Sequence, residues 1–189
     1  MIVIHPVDAT GQCLPGGRPP EPRSPLRAEA AARRRGPEPI QSEAVRITVG
    51  EYELDDDRRR VDRDVLWAFL SQEAYWGRWR TRSVVEQQLD SAWRVVGVYQ
   101  AGVSEMVGFA RAISDGAGFA YLADVFIDKD HRGHGLGVEL VATMIDRGPG
   151  ATFRWTLHTS DAHGLYERFG FTRPDRTYLE RPGRPPATS

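Results

Sequence analysis

Apolar and polar residues fall into a regular order from about Val45 onward. The run "VRITV" (45–49) has the composition of a short strand. Val61, Val65, Leu66, Phe69 and Leu70 recur at helical spacing and predict a helix over about 61–72. The stretch "QEAYWGRWR" (72–80) is aromatic but aperiodic. Val84, Val85, Leu89 and Ala92 mark a second helix, started by Thr81 or Ser83. Three β-rich runs follow at 93–100, 106–114 and 119–127, joined by connections of hairpin length, which predicts an antiparallel meander. Leu136, Leu140, Val141, Met144 and Ile145 share one face of a helix over about 135–147, and "RGPG" (147–150) stops it. "TFRWTLHT" (152–159) alternates as a strand. A short helix over about 161–169 puts Ala162, Leu165, Tyr166 and Phe169 on one face and ends at Gly170. "RTYLER" (176–181) predicts a last strand.

This order predicts an α/β (α+β) fold, with a mixed, mostly antiparallel sheet and helices on its faces. The strand–helix–strand unit at 119–159 has the length of a right-handed crossover, which makes its two strands parallel. Residues 1–44 break the pattern. They mix Pro, Gly and Arg with almost no large apolar side chains, and so predict a disordered N-terminal leader. The triplet Arg33-Arg34-Arg35 reads as part of that solvated leader in preference to a nucleic-acid contact. The globular domain is expected over 45–182, with a flexible tail at 183–189.

Composition narrows the function classes. The formal net charge of the 189 residues is -1, so no global field draws nucleic acid or an acidic membrane surface. The single cysteine, Cys13, excludes an intrachain disulfide and a Cys-based zinc site. No His/Asp/Glu cluster has metal-ligand spacing, and no metal is predicted. No apolar run is long enough to span a bilayer, and "MIVIHPVD" lacks the basic start of a signal peptide, so a cytoplasmic protein is expected.

The candidate chemistry starts at "HRGHGLG" (131–137), between a strand and a helix. Main-chain N–H groups in such a turn lack internal partners. Gly133, Gly135 and Gly137 let an anion come close to them, the helix dipole adds attraction, and Arg132 supplies a donor fork. A phosphate or pyrophosphate is the matching guest. Neither G-x-x-x-x-G-K-[ST] nor G-x-G-x-x-G is in register, which disfavours a nucleoside triphosphate or a dinucleotide.

The wider stretch "LADVFIDKDHRGHGLGVELVATMID" resembles the coenzyme A-binding segment of the GNAT superfamily of N-acetyltransferases. Arg132, Gly135 and Gly137 match its R/Q-x-x-G-x-G/A signature. "DAHGLYERFGF" (161–171) is similar to a second signature of that family, matched by Ala162, Leu165, Tyr166, Gly170 and Phe171. The resemblance covers roughly 45–181. It implies a V-shaped splay between two central parallel strands, acetyl-CoA as co-substrate, and acetyl transfer to a primary amine by direct attack in a ternary complex. The acceptor would be a small molecule (polyamine, aminoglycoside or amino-acid-like). A protein N-terminus or lysine as acceptor, or a non-catalytic acyl-CoA sensor, are the alternatives. A homodimer is compatible with the sequence.

The resemblance also implies residue roles. Val125, Phe126 and Ile127 would hold the pantetheine arm through their main chain, and Arg132, Gly133, His134, Gly135, Leu136 and Gly137 the pyrophosphate. Thr159 stands where the family often has an asparagine contacting the cofactor, and Ala162 opens the second signature. Tyr166 would protonate the departing thiolate. An alkylammonium with a pKa of about 10.4 must lose a proton before it attacks. Asp124, a carboxylate inside the apolar strand "YLADVFI", is one candidate base, and a water held by Tyr121 or by Asp124 is another. A structural hydrogen bond would equally account for Asp124. Glu73, Tyr75, Trp76, Phe119 and Tyr121 are the candidate acceptor-pocket residues.

Overall fold

The computed structural model describes residues 44–181. The predicted leader lies outside the described residues except for Ala44, and the predicted tail at 183–189 lies wholly outside them. Six strands form one sheet in the order β1 (Arg46–Val49), β2 (Tyr52–Asp55), β3 (Arg94–Gln100), β4 (Met106–Ser114), β5 (Phe119–Ile127) and β6 (Arg154–Thr156). Every neighbouring pair is antiparallel except β5 and β6, which are parallel as the crossover length predicts.

Helices cover both faces. α1 (Arg63–Ala68) continues as one π-helical turn, Phe69–Glu73, and α2 (Arg82–Asp90) follows the aromatic turn. Asp62 caps α1 by accepting from the N–H groups of Asp64 and Val65, and Thr81 caps α2 by accepting from Val84. These helices close one core with Leu66, Leu70, Val85 and Leu89 against Val95, Tyr99, Phe109 and Phe126 of the sheet. α3 (Leu136–Ile145) closes the other, with Leu136, Leu140, Val141 and Met144 against Val96, Val98, Ala110 and Leu122. α4 (His163–Glu167) adds Tyr166 to that second core.

A buried arginine ties sheet to helix. Arg94 on β3 donates from Nη1 to the carbonyls of Thr143 and Met144 at 2.9 and 2.7 Å, and from Nη2 to Asp56 at 3.0 Å. It thereby satisfies carbonyls that the C-terminal end of α3 leaves without helical partners.

Three sequence expectations need correction. β2 is absent from the predicted order; its four residues "YELD" are too short and too acidic to signal a strand, and a turn at Gly50 (φ +57°) folds them onto β1. The strand predicted at 176–181 does not form: the segment is exposed and carries no ladder. The strand predicted at 152–159 shortens to Arg154–Thr156. As a result the parallel pair lies at the sheet edge among the described residues, not at its centre.

The splay is visible in the register. β5 pairs with β6 only through Phe119, Tyr121 and the residue between them, and then runs on past β6. The β4–β5 register shifts between Phe109 and Arg111, opposite Asp124, which has φ +52°. This bulge reverses the facing of β5. Leu122 before it and Ile127 after it both belong to the α3 core, although the four residues between them would put the two on opposite faces of a regular strand.

Candidate active site

A cleft of about 1170 Å³ runs from the splayed end of β5 to the aromatic turn after α1. That is room for a cofactor arm and an acceptor together. Its walls include Val125, Phe126 and Ile127 on β5, the turn residues Arg132, Gly133, Gly135 and Gly137, and Tyr166 on α4.

The glycine turn has the form the sequence suggests. Gly133 and Gly135 have φ +87° and +76°, left-handed values that favour glycine. Gly135 is the N-cap of α3, and among the described residues no side chain caps that end. A Cβ built on Gly133 or Gly135 would meet nothing within 4 Å, so open space lies over these amides. Arg132 folds back, donating from Nε to the carbonyl of Ile127 at 2.9 Å, which locks the turn to the end of β5. Tyr52 supports the turn from below through a hydroxyl contact with His131 Nδ1 at 3.0 Å. The residues present fit a pyrophosphate with these main-chain donors. His134 is the exception: its ring turns to Tyr52, 5.9 Å between centroids, and is not part of the cleft wall.

Tyr166 is 8 % exposed and packs edge-on against Phe171. Burial, followed by the nearby Asp161 and Tyr75, pushes its phenol up to about 12. It therefore stays protonated at neutral pH, and among the described residues its hydroxyl has no acceptor. A buried, protonated phenol on the cleft wall can give a proton to a leaving group.

Asp124 is differently placed from a free base. Arg80 holds both its oxygens, Nη2 to Oδ1 at 2.8 Å and Nη1 to Oδ2 at 2.9 Å. Arg111 adds Nε to Oδ2 at 2.6 Å. Burial raises the carboxyl, but the two guanidiniums outweigh it and hold it below the ordinary carboxylate range. A carboxylate so occupied is a poor proton acceptor, which favours the structural reading of Asp124 over the base.

Tyr121 lines the cleft and takes part in a different chain. Its hydroxyl is 3.0 Å from His158 Nδ1, and His158 Nε2 is 3.2 Å from Glu180 at the surface. Burial and the charges of Asp124, Tyr178 and Glu180 raise the Tyr121 phenol.

Glu73, Tyr75 and Trp76 reach the cleft wall together, with Tyr75 and Trp76 edge-to-face at 4.9 Å. The Tyr75 hydroxyl also bonds Ser160, bridging the aromatic turn to the loop after β6. Phe119 does not join them. It sits at the start of β5, exposed, in a separate groove on the far side of β6. Thr159 is used locally: its Oγ1 accepts from Ala162 N–H at 3.0 Å. Both residues line the cleft, but that bond occupies the Ala162 amide and departs from the expected cofactor contact.

Sequence reasoning passes over Arg80 and Arg111, and leaves His158 out of the catalytic set because a lone His beside a motif is more often a surface or capping group. Arg111 had a signal, since it is a lone charge in the apolar run "MVGFARAIS", the same anomaly that singled out Asp124. Arg80 closes an aperiodic run and carried none.

Comparison with known proteins agrees with this architecture. The acetyltransferase (GNAT) domain family matches residues 92–173. A "putative acetyltransferase belonging to the gnat family" from Xanthomonas campestris pv. campestris is 34% identical, with a TM-score of 0.65 over 72% of this chain and 96% of that one. A "putative acetyltransferase" from Deinococcus radiodurans R1 shares the fold, with a TM-score of 0.54 at 22% identity over 71% of this chain and 92% of that one. A "putative acetyltransferase" of Gibberella zeae is 36% identical over 74 residues, which are 39% of this chain and 40% of that protein's length. With both sequence signatures in place and a relative matched over nearly its whole length, the chain belongs to the GNAT family of acetyltransferases.

Proposed function

We propose that the protein transfers an acetyl group from acetyl-CoA to the primary amine of a small molecule, both bound at once in the cleft. One observation supports this most: a single cavity joins the glycine turn, the unpaired edge of β5 and Tyr166. The turn amides and Arg132 would receive the pyrophosphate, and the main chain of Val125, Phe126 and Ile127 the pantetheine arm. His134 contributes to this set only through its backbone. When bound, the thioester supplies the activated acetyl group, and holding it against the amine is worth as much as ~7–11 kcal/mol of the barrier.

Each protein group then has one task. Tyr166 keeps a proton available for the leaving sulfur. The ammonium of the acceptor loses its proton to a water held by Tyr121, and the Tyr121–His158–Glu180 chain leads that proton to the surface. Tyr75 and Trp76 wall the acceptor side and exclude water from it. Glu73 stands exposed at the mouth of this wall.

Calorimetric titration with acetyl-CoA, followed by a thiol-release assay over a panel of primary amines, tests the reading. Binding of acetyl-CoA and amine-dependent thiol release are expected. Absence of binding by both acetyl-CoA and coenzyme A overturns it.

A further inference from the structure

The buried charge beside the acceptor wall is unbalanced. Arg80 and Arg111 are each 6 % exposed and Asp124 8 %, so two guanidiniums share one carboxylate largely shielded from bulk water. Arg80 commits Nη1 to Gln88 as well as to Asp124, and Nη2 to Asp124. Arg111 commits only its Nε. Among the described residues its two terminal nitrogens have no protein acceptor. They are also not sealed from solvent: among the described residues the buried side-chain polar atoms without partners are Arg80 Nε, Arg94 Nε and Tyr99 Oη. Arg111 lines the cleft, so these donors open onto it. The other acids of the cleft wall, Glu73 and Asp161, are exposed and form no ion pair with either arginine.

An uncompensated buried guanidinium is costly, and the cost falls when an anion docks on its planar fork. The bulge that aims Asp124 at both arginines holds a non-glycine residue at φ +52°. Backbone of this kind persists where its surroundings over-determine it, often at ligand sites.

We infer that Arg111, held in place by Asp124 and Arg80, receives a carboxylate of the acceptor, which is therefore an amino acid or another amine bearing a single carboxylate. The inference rests on the reading of the cleft as an acetyl-transfer site and narrows its substrate class. Charge selects the anion: one surplus positive charge is matched by a monoanion, whereas a phosphomonoester brings about −1.5 to −2. Position selects the amine. Arg111 pairs with Ala123 across β4 and β5, and Ile113 pairs with Tyr121, so Arg111 and Tyr121 share one sheet face as diagonal neighbours. A carboxylate on Arg111 leaves a nearby amino group on the Tyr121 side. Polyamines and aminoglycosides, which are polycations, meet repulsion here.

The test uses the full chain saturated with coenzyme A. N-acetylalanine, N-acetylphenylalanine and N-acetylglutamine are titrated by calorimetry, each against its primary amide, with O-phosphoethanolamine as the phosphate arm. At least one carboxylate is expected to bind ~10-fold or more tightly than its amide, the scale of a lost charge-assisted contact. Arg111→Gln is expected to abolish that difference while coenzyme A affinity stays within ~3-fold, and Arg111→Lys to restore part of it. In thiol-release assays the free amino acid is expected to show a lower KM than its decarboxylated amine. Equal binding of all acid–amide pairs, or tighter binding of the phosphate compound, overturns the inference and leaves the acetyl-transfer reading standing. Loss of coenzyme A binding in the unmutated chain instead removes the reading beneath it.

Discussion

Asp124 and Arg80 meet in a two-point ion pair, at 2.8 and 2.9 Å, across 44 residues of sequence. The pair joins the bulge of β5 to the residue just before the cap of α2, and so fixes the acceptor wall to the sheet. Asp124→Asn keeps the shape and tolerates positive φ, but leaves two buried guanidiniums facing each other. Removing one member of a buried ion network costs about 3–5 kcal/mol. Denaturant unfolding at neutral pH is therefore expected to show a loss of that order. The sign with pH is fixed by the depressed carboxyl. Its stabilisation is present above the unfolded value of about 3.8 and is lost as pH falls through the lower folded value. Asp124→Asn should accordingly flatten the acid limb of the stability profile. An Asp124→Asn variant of full stability that only loses turnover would return Asp124 to the role of base.

Tyr166 is expected to act in the chemical step and not in binding. Tyr166→Phe removes the hydroxyl and keeps the ring against Phe171. General-acid contributions run at about 10²–10⁴-fold. A fall of that size in kcat, with KM for acetyl-CoA nearly unchanged, is the expected result of steady-state assays. A thiol with a lower pKa needs less help in leaving, so an acyl donor built on such a thiol should recover part of the loss. Unchanged kcat in the variant would remove Tyr166 from the mechanism.

How far the sequence reaches depends on whether a feature is local. The helices α1 to α3 announce themselves by apolar residues at helical spacing, and the strands β3 to β5 by β-rich apolar runs, those of β3 and β4 buried on both faces. The glycine turn is equally local, since its φ values demand glycine within three consecutive steps. The segment 176–181 alternates like a strand but finds no sheet edge, and alternation alone does not make a ladder. The Arg80–Asp124–Arg111 cluster draws on three separate elements, and only the lone charges at Arg111 and Asp124 hint at it. Thr159 shows the remaining gap: its hydroxyl had equal scope to reach a cofactor or cap its own loop, and only the backbone path decides for Ala162 N–H.

His158 provides a third test, because it acts through Tyr121 and not on the acceptor itself. It is exposed, so His158→Gln should leave the unfolding free energy within ~0.5 kcal/mol. The substitution breaks the route from Tyr121 to Glu180 while retaining a side-chain hydrogen-bond donor and acceptor. A drop of about 10-fold or more in kcat at neutral pH, with both KM values held, is expected. Partial rescue by a small exogenous imidazole would support a proton path, whereas a merely structural contact would not respond to it.

Tyr99 makes the last prediction, and it concerns stability alone. Its ring lies 2 % exposed in the α1–α2 core, under the Arg60 guanidinium at 4.1 Å, and among the described residues its hydroxyl has no hydrogen-bond partner. The ring fits only because residue 97 is glycine: a Cβ there would overlap the Tyr99 hydroxyl. Burial pushes the phenol up to about 12 from 10.0. A group raised in the folded state stabilises fully below its unfolded value, and that contribution is lost as pH rises through the folded one. Stability should therefore hold to about pH 10 and fall between 10 and 12, with Tyr99 and Tyr166 each contributing about 2–3 kcal/mol of the fall. Tyr99→Phe removes one of the two titrations and one buried hydroxyl without a partner. Chemical unfolding at neutral pH should find the variant equal to or more stable than the parent, by up to about 1–3 kcal/mol, and its alkaline limb should be less steep. Gly97→Ala acts in the opposite direction, because the overlap forces the ring out of its slot, at a cost of about 1–3 kcal/mol. Combining Gly97→Ala with Tyr99→Phe should recover part of that cost, since the first atom in the way is the hydroxyl oxygen; strictly additive losses in the double mutant would show that the two residues do not meet.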